Sequence, residues 1–187
     1  MSAETNVIDV GRISRPAMVQ VWDPLVRLFH WSLVGSFAFA FFTGDEWKGA
    51  HIVAGYIVGG LVAFRILWGI AGPKYARFAS FIRGPMATLR YLRDALAFRA
   101  PRHLGHNPAG GAMILALLAA NATIAGTGYM MTTDAYWGVE WVEELHKSMV
   151  YVTLGLIALH VGGVVLASIE HRENLVRSMF TGVKRRD

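Results

Sequence analysis

The sequence predicts an all-α integral membrane protein, a four-helix bundle built as a single domain over residues 1–187. Four segments are long and apolar enough to cross a hydrocarbon core, which needs about 20 residues. Their connections alternate between basic and acidic. Two of the segments show no polar face over Phe37–Phe42 and Ile114–Ala120, whereas the surface helices of a water-soluble bundle would carry one. The mean hydropathy of +0.39 is modest for a membrane protein because a long polar stretch, 73–107, separates the second and third spans.

Residues 1–24 are polar or mixed and contain no apolar core of a signal peptide, so the first span is expected to remain in the membrane as an anchor. The spans run approximately Leu25–Thr43, Ala50–Ile70, Ala109–Met131 and His146–Ser168. Backbone polar groups in a bilayer must pair within each segment, which makes all four helical. Between spans two and three, Pro85–Arg99 places Leu89, Leu92 and Leu96 on one stripe beside Arg90, Arg93 and Arg99. Pro85 suits a first helical turn. This pattern predicts an amphipathic helix lying on the inner leaflet, with docking to a cytoplasmic partner as the alternative.

Charge orients the bundle. The loop 73–107 holds Lys74, Arg77, Arg83, Arg90, Arg93, Arg99 and Arg102 against Asp94, and the tail 169–187 adds Arg172, Arg177, Lys184, Arg185 and Arg186. The loop near 44–50 has Asp45 and Glu46 against Lys48. That near 132–145 has Asp134, Glu140, Glu143 and Glu144. By the positive-inside rule, both termini and the long loop are cytoplasmic and the short acidic loops face outward. The tryptophans are expected to follow, with Trp47, Trp137 and Trp141 at the outer interface and Trp22 and Trp68 at the inner one.

Within this frame four histidines stand at matched depths. His146 and His160 are fourteen residues apart on span four, close to four helical turns, so both leave one face about 21 Å apart along the axis. His51 opens span two at the outer surface, and His30 lies in the inner half of span one. The depths pair His30 with His160 and His51 with His146. Ionisable groups inside a membrane are rare and tend to mark function. Any one of these histidines alone would be read as an interfacial or hydrogen-bonded residue, but two pairs at equal depth are what two haems, each ligated from both faces, require. Zinc would need three or four ligands converging at one depth. The absence of cysteine excludes covalent haem attachment through C-x-x-C-H, iron–sulfur clusters and disulfides. Any haem must therefore be held by side-chain ligation and burial alone. His103, His106 and His171 lie in polar inner segments and are assigned to solvent or local capping.

Gly55 and Gly59 follow His51 at helical spacing, and Gly155, Gly162 and Gly163 surround His160. Room for a porphyrin and close helix packing both account for them. Arg65, fourteen residues after His51 on the same face, is placed either to meet a haem propionate or to snorkel to the headgroups. Arg27, one turn before His30, has the same two readings.

Several stretches together resemble the bacterial cytochrome b561 type, which includes the cytochrome b subunit of nickel–iron hydrogenases. They are VWDPLVRLFHW (21–31), the H-x-x-x-G-Y of His51–Tyr56, RILWGIAGPKYARF (65–78), GHNP (105–108) and HRENLVRSMFTG (171–182). The resemblance implies a four-helix bundle with two haems b that carries electrons between membrane quinone and a redox partner. Its haem ligands fall on His30, His51, His146 and His160.

Two functions follow as expectations. One is an electron relay in the bacterial inner membrane between the quinone pool and an outer-face partner, a c-type cytochrome or a hydrogenase-like complex. The other is a quinone-linked oxidoreductase in its own right, a superoxide oxidase. Lys48 and Lys147 stand against Asp45, Glu46, Asp134, Glu140, Glu143 and Glu144 on the outer face, a net of −4. A negative rim repels a small anion and attracts a basic protein patch, which favours the relay. A haem-free scaffold would leave the paired histidines unexplained. Besides these partners, only membrane lipid is expected, and no nucleic acid.

Overall fold

The computed structural model describes residues 17–44 and 46–186; residues 1–16, Asp45 and Asp187 lie outside the described residues. The elements are β1 (Met18–Gln20), α1 (Pro24–Thr43), α2 (Lys48–Ala71), the single turn α3 (Phe78–Phe81), α4 (Pro85–Leu96), α5 (Pro108–Met130), α6 (Glu140–Glu170), α7 (Leu175–Thr181) and β2 (Val183–Arg185). The helices α1, α2, α5 and α6 are the four apolar spans of an all-α membrane bundle. Only 6–28% of each span's most apolar stretch is buried within the protein. Side chains such as Phe42, Leu67, Ile70 and Leu159 therefore point outward and apolar, a surface that lipid solvates and water does not.

Local chemistry explains where the spans start. Asp23 caps α1 by accepting from the backbone N–H groups of Leu25 (3.0 Å) and Val26 (3.1 Å), with Pro24 in the first turn. Asn107 caps α5 through Gly110 N–H (2.7 Å), again followed by proline. Side-chain acceptors satisfy N–H groups that have no partner within the helix, and proline has no such N–H to satisfy. The fourth helix departs from expectation: α6 begins at Glu140, six residues before His146. Glu140 and Glu143 occupy its first turn, where carboxylates complement the helix dipole, and Val142 there is fully buried. Hydropathy finds only the part of a helix that lies in lipid, and this one continues beyond it.

Helix α1 packs on α2, α2 on α5, and α5 on α6, while no comparable packing joins α6 back to α1. A central cluster of Phe29, Val58, Val62 and Leu118, with Leu33, Phe64 and Ile114 around it, holds the first three spans together. The bundle has a basic end, carrying α3, α4, α7 and the described termini, and an acidic end formed by the two short connections. On α4, Tyr91 and Ala95 turn inward, while Met86, Leu89, Leu92 and Leu96 are exposed. This apolar stripe between arginines is the expected amphipathic arrangement.

The basic end is fastened in a way the sequence did not announce. Strands β1 and β2 pair antiparallel with Val19 opposite Lys184. Trp22, expected at the lipid interface, is buried, and its Nε1–H donates to Ser178 Oγ at 3.2 Å. Gly182 permits the turn into β2 because its φ of +83° is in the left-handed region. Its carbonyl accepts from the N–H groups of both Val21 and Trp22. Below this clasp, Glu173 bridges Arg102 (3.1 Å) and Lys184 (3.3 Å), with side chains of Glu173 and Lys184 only 8% and 5% exposed.

Burial pushes the Glu173 carboxyl upward, but Lys184 and then Arg102 outweigh it and hold its pKa below the ordinary carboxylate value. A depressed carboxylate pKa adds stability above the unfolded value of about 4.3, and that stability disappears as pH falls through the folded pKa. Removing one member of a buried ion cluster leaves its partners uncompensated. Glu173→Ala is therefore expected to cost about 3 kcal/mol and to expose the C-terminal segment. Thermal unfolding in detergent and limited proteolysis at neutral pH would show both changes, and the difference from the unsubstituted protein should shrink as pH falls below the ordinary carboxylate range.

Candidate functional site: two histidine pairs

At the acidic end, His51 near the start of α2 faces His146 of α6, with ring centres 6.1 Å apart. Each ring is held by an oxygen. His51 Nδ1 lies 2.8 Å from the carbonyl of Ala40 on α1, and a carbonyl only accepts, so this nitrogen carries the proton. His146 Nδ1 lies 3.1 Å from Thr127 Oγ1 on α5. The Thr127 hydroxyl lies 2.7 Å from the Thr123 carbonyl and donates to it, so its oxygen accepts from the ring. Both imidazoles are thereby set as Nδ1–H tautomers with the Nε2 lone pair free. Gly128 makes room for this: a Cβ there would meet His146 Cε1 at 3.3 Å.

At the basic end, His30 of α1 faces His160 of α6 across the side where those helices do not pack, with ring centres 6.5 Å apart. Trp31 meets His30 edge-on at 4.9 Å. His30 Nδ1 is buried with no hydrogen-bond partner among the described residues.

Arg65 is 3% exposed and so does not snorkel. Its NH2 donates to the Ala76 carbonyl at 3.1 Å, and its guanidinium lies 4.9 Å from the Phe78 ring centre. NH1 is buried without a partner among the described residues. Arg27 donates through NH1 to the Phe180 carbonyl, leaving a buried Nε without a partner among them. A buried guanidinium nitrogen without an acceptor is costly unless an anion meets it.

His106 corrects its assignment to solvent. Its ring packs between Trp22 (4.5 Å) and Phe81 (4.7 Å), and its Nδ1 is buried without a partner among the described residues. Burial, then the charges of Arg65 and Lys184, push its pKa down to about 3. It is neutral at physiological pH. His103 does make a local contact, its Nδ1 2.9 Å from the Pro101 carbonyl. His171 ends α6, but its Nε2 is buried without a partner among the described residues.

Among the glycines, Gly59 serves helix packing, since a Cβ there would touch Ala125 at 3.4 Å. Beyond the adjacent residues and backbone of its own helix, no described atom lies within 4 Å of a Cβ placed at Gly55, Gly155, Gly162 or Gly163.

These pairs suit a metal held axially between two rings. Metal–imidazole bonds of about 2 Å, with roughly 1 Å more from each nitrogen to its ring centre, put two axial rings about 6 Å apart between centres. Both pairs have that separation, and no group of three histidine, aspartate or glutamate side chains that could hold a metal ion occurs among the described residues. The donor set and the orphaned guanidinium nitrogens fit a haem with anionic propionates.

Fold and site together define a four-span membrane protein with a paired-imidazole site near each surface. The prokaryotic cytochrome b561 family matches residues 21–182, and the chain belongs to that family. It is accordingly a membrane b-type cytochrome of electron transfer, and it binds haem b. Comparison with curated proteins and with solved structures gives no match.

Sequence reasoning missed Thr127, the Ala40 carbonyl and the burial of His106. A backbone carbonyl has no signature in a sequence, and a contact from α5 to α6 has no spacing rule. His106 did have a signal, since it stands in the GHNP stretch that carries part of the family resemblance.

Proposed function

We propose that this cytochrome carries two haems b and relays electrons between the quinone pool and a redox protein at the outer face of the bacterial inner membrane. The observation that carries this reading is the separation of the two histidine pairs, 6.1 and 6.5 Å between ring centres. His30 and His160 would hold the inner haem, and His51 and His146 the outer one. When bound, haem supplies a one-electron centre cycling between ferric and ferrous iron.

The chain's own residues supply orientation and insulation. Arg65 offers its uncommitted NH1 to an inner propionate, and Arg27 offers its Nε. The half-buried histidines keep their Nε2 atoms for iron, and the lipid-facing apolar surface seals the path from water. The basic end lies in the cytoplasm by the positive-inside rule, which makes the protein a multi-pass membrane protein with its acidic connections outside. There the exposed Asp134, Glu140 and Glu144 favour a basic protein surface such as that of a c-type cytochrome or a hydrogenase-like complex.

The test is haem stoichiometry with quinone-linked turnover. Pyridine haemochrome against protein mass should give two haems per chain, extractable with acidified organic solvent. In liposomes containing quinone, both should be reduced or oxidised through an outer-face protein donor or acceptor. One haem per chain, or two haems that never exchange electrons with quinone, would overturn the reading.

A further inference from the structure

We infer that Thr127 is a positioning residue for the outer haem, and that with the Ala40 carbonyl it makes the outer haem the lower in reduction potential. With haem bound at both sites, that order would favour electron passage from the outer site to the inner one. This inference rests on the two-haem reading above.

Both outer imidazoles give their Nδ1 proton to an oxygen: His51 to Ala40 O at 2.8 Å, and His146 to Thr127 Oγ1 at 3.1 Å. A hydrogen bond at the far nitrogen of a ligating imidazole fixes its orientation and raises its basicity. A more basic ligand pair stabilises ferric over ferrous iron and lowers the potential. Thr127 is fixed in this acceptor role because its own proton is committed to Thr123 O at 2.7 Å, and its side chain is buried.

The inner pair lacks this support on at least one side, since His30 Nδ1 is buried without an acceptor among the described residues. Arg65 is almost fully buried with NH1 uncommitted, and a guanidinium set against an inner propionate would offset the negative charge that otherwise favours the ferric state. Ligand basicity and local charge thus act in the same direction. The asymmetry is written in which helix lends the second oxygen. Helix α5 lies against α6 and presents a threonine at the acidic end.

Potentiometric titration of the detergent-solubilised protein should resolve two one-electron steps. Thr127→Val keeps the shape of the side chain and removes the hydroxyl acceptor, leaving the Ile124 carbonyl as the oxygen still within reach of His146. It should raise the lower-potential step by about tenfold in the reduction equilibrium constant, about 59 mV for one electron, and leave the upper step in place. Thr127→Ser, which retains the oxygen, should titrate as the unsubstituted protein does. Thr127→Cys, a poorer acceptor of similar size, provides a second variant should valine impair haem loading, and it should shift the same step in the same direction.

The moving step identifies the outer haem without further labelling. A shift of the upper step would reverse the order of potentials, and no shift in a fully loaded variant would leave Thr127 as packing alone. Either result overturns the inference. A preparation holding one haem, by contrast, sinks the two-haem reading itself, so the two failures are distinguishable.

Discussion

His160→Ala is expected to remove the inner haem and leave the outer one, so that haemochrome assay gives one haem per chain where the unsubstituted protein gives two. His30→Ala should give the same result from the other side of the site. His51→Ala and His146→Ala should each remove the outer haem alone. The selectivity follows from the helix geometry: the two histidines of α6 are about 21 Å apart along the axis, with the fully buried Thr153 between them. Loss of one imidazole leaves its partner ring without a second ligand, since His106, the further histidine near the inner pair, is held between Trp22 and Phe81. Axial ligation is the main attachment of a haem that has no thioether bonds, so the effect is loss of the group and not a modest change in its spectrum. Low-temperature spectra should therefore lose one of two α-band components in each single variant, the same component within each pair. Equal loss of both components in every variant, with the protein still folded, would contradict the pairing.

Exchange of Asp134, Glu140, Glu143 and Glu144 for their amides is expected to slow electron transfer with a cationic outer partner by about tenfold at low ionic strength. All four side chains are exposed. Glu143 should contribute least, because Lys147 already lies 2.6 Å from its carboxylate in an i,i+4 pair. Lys48 sits 4.7 Å from the ring centre of Trp137, so both cations of the described rim are drawn toward groups of the protein itself. The slowing should fade as salt rises, since exposed charges are screened beyond about 10 Å at 0.1 M. Haem content and spectra should stay unchanged because these four residues are exposed to solvent. Stopped-flow mixing with the physiological partner at several salt concentrations checks the effect. An unchanged rate at low salt would reduce the acids to solvated surface charge. A gain in superoxide oxidation by the same variants would identify the rim as a barrier to a small anion and favour the enzyme reading.

The four spans were legible in the sequence because the bilayer imposes a length and a composition on each helix that few other environments demand. The loop charges were equally legible, being a matter of counting. The neighbour each of His30, His51, His146 and His160 acquires could be anticipated because depth along a straight helix is proportional to residue number. What failed were the contacts between elements that depth along a helix does not set. Trp22 looked like an interfacial tryptophan and is instead buried under α7, where Ser178 accepts its N–H. The strands β1 and β2 are three residues each, too short for any periodicity, and exist because the ends of the described chain meet. Arg65 stood equally for a haem propionate or snorkelling until Ala76, on the connection after its own helix, and Phe78 of α3 enclosed it. Thr127 and the Ala40 carbonyl were invisible for the same reason. A hydrogen bond between helices depends on rotation and separation, and a one-dimensional pattern encodes neither. The sequence by itself thus determined how many times the chain crosses the membrane, the pattern of charge on its connections and the depth of each histidine. Only the tertiary structure decided which oxygen holds each ring, which nitrogen is left without a partner, and so where the two ends of the bundle differ.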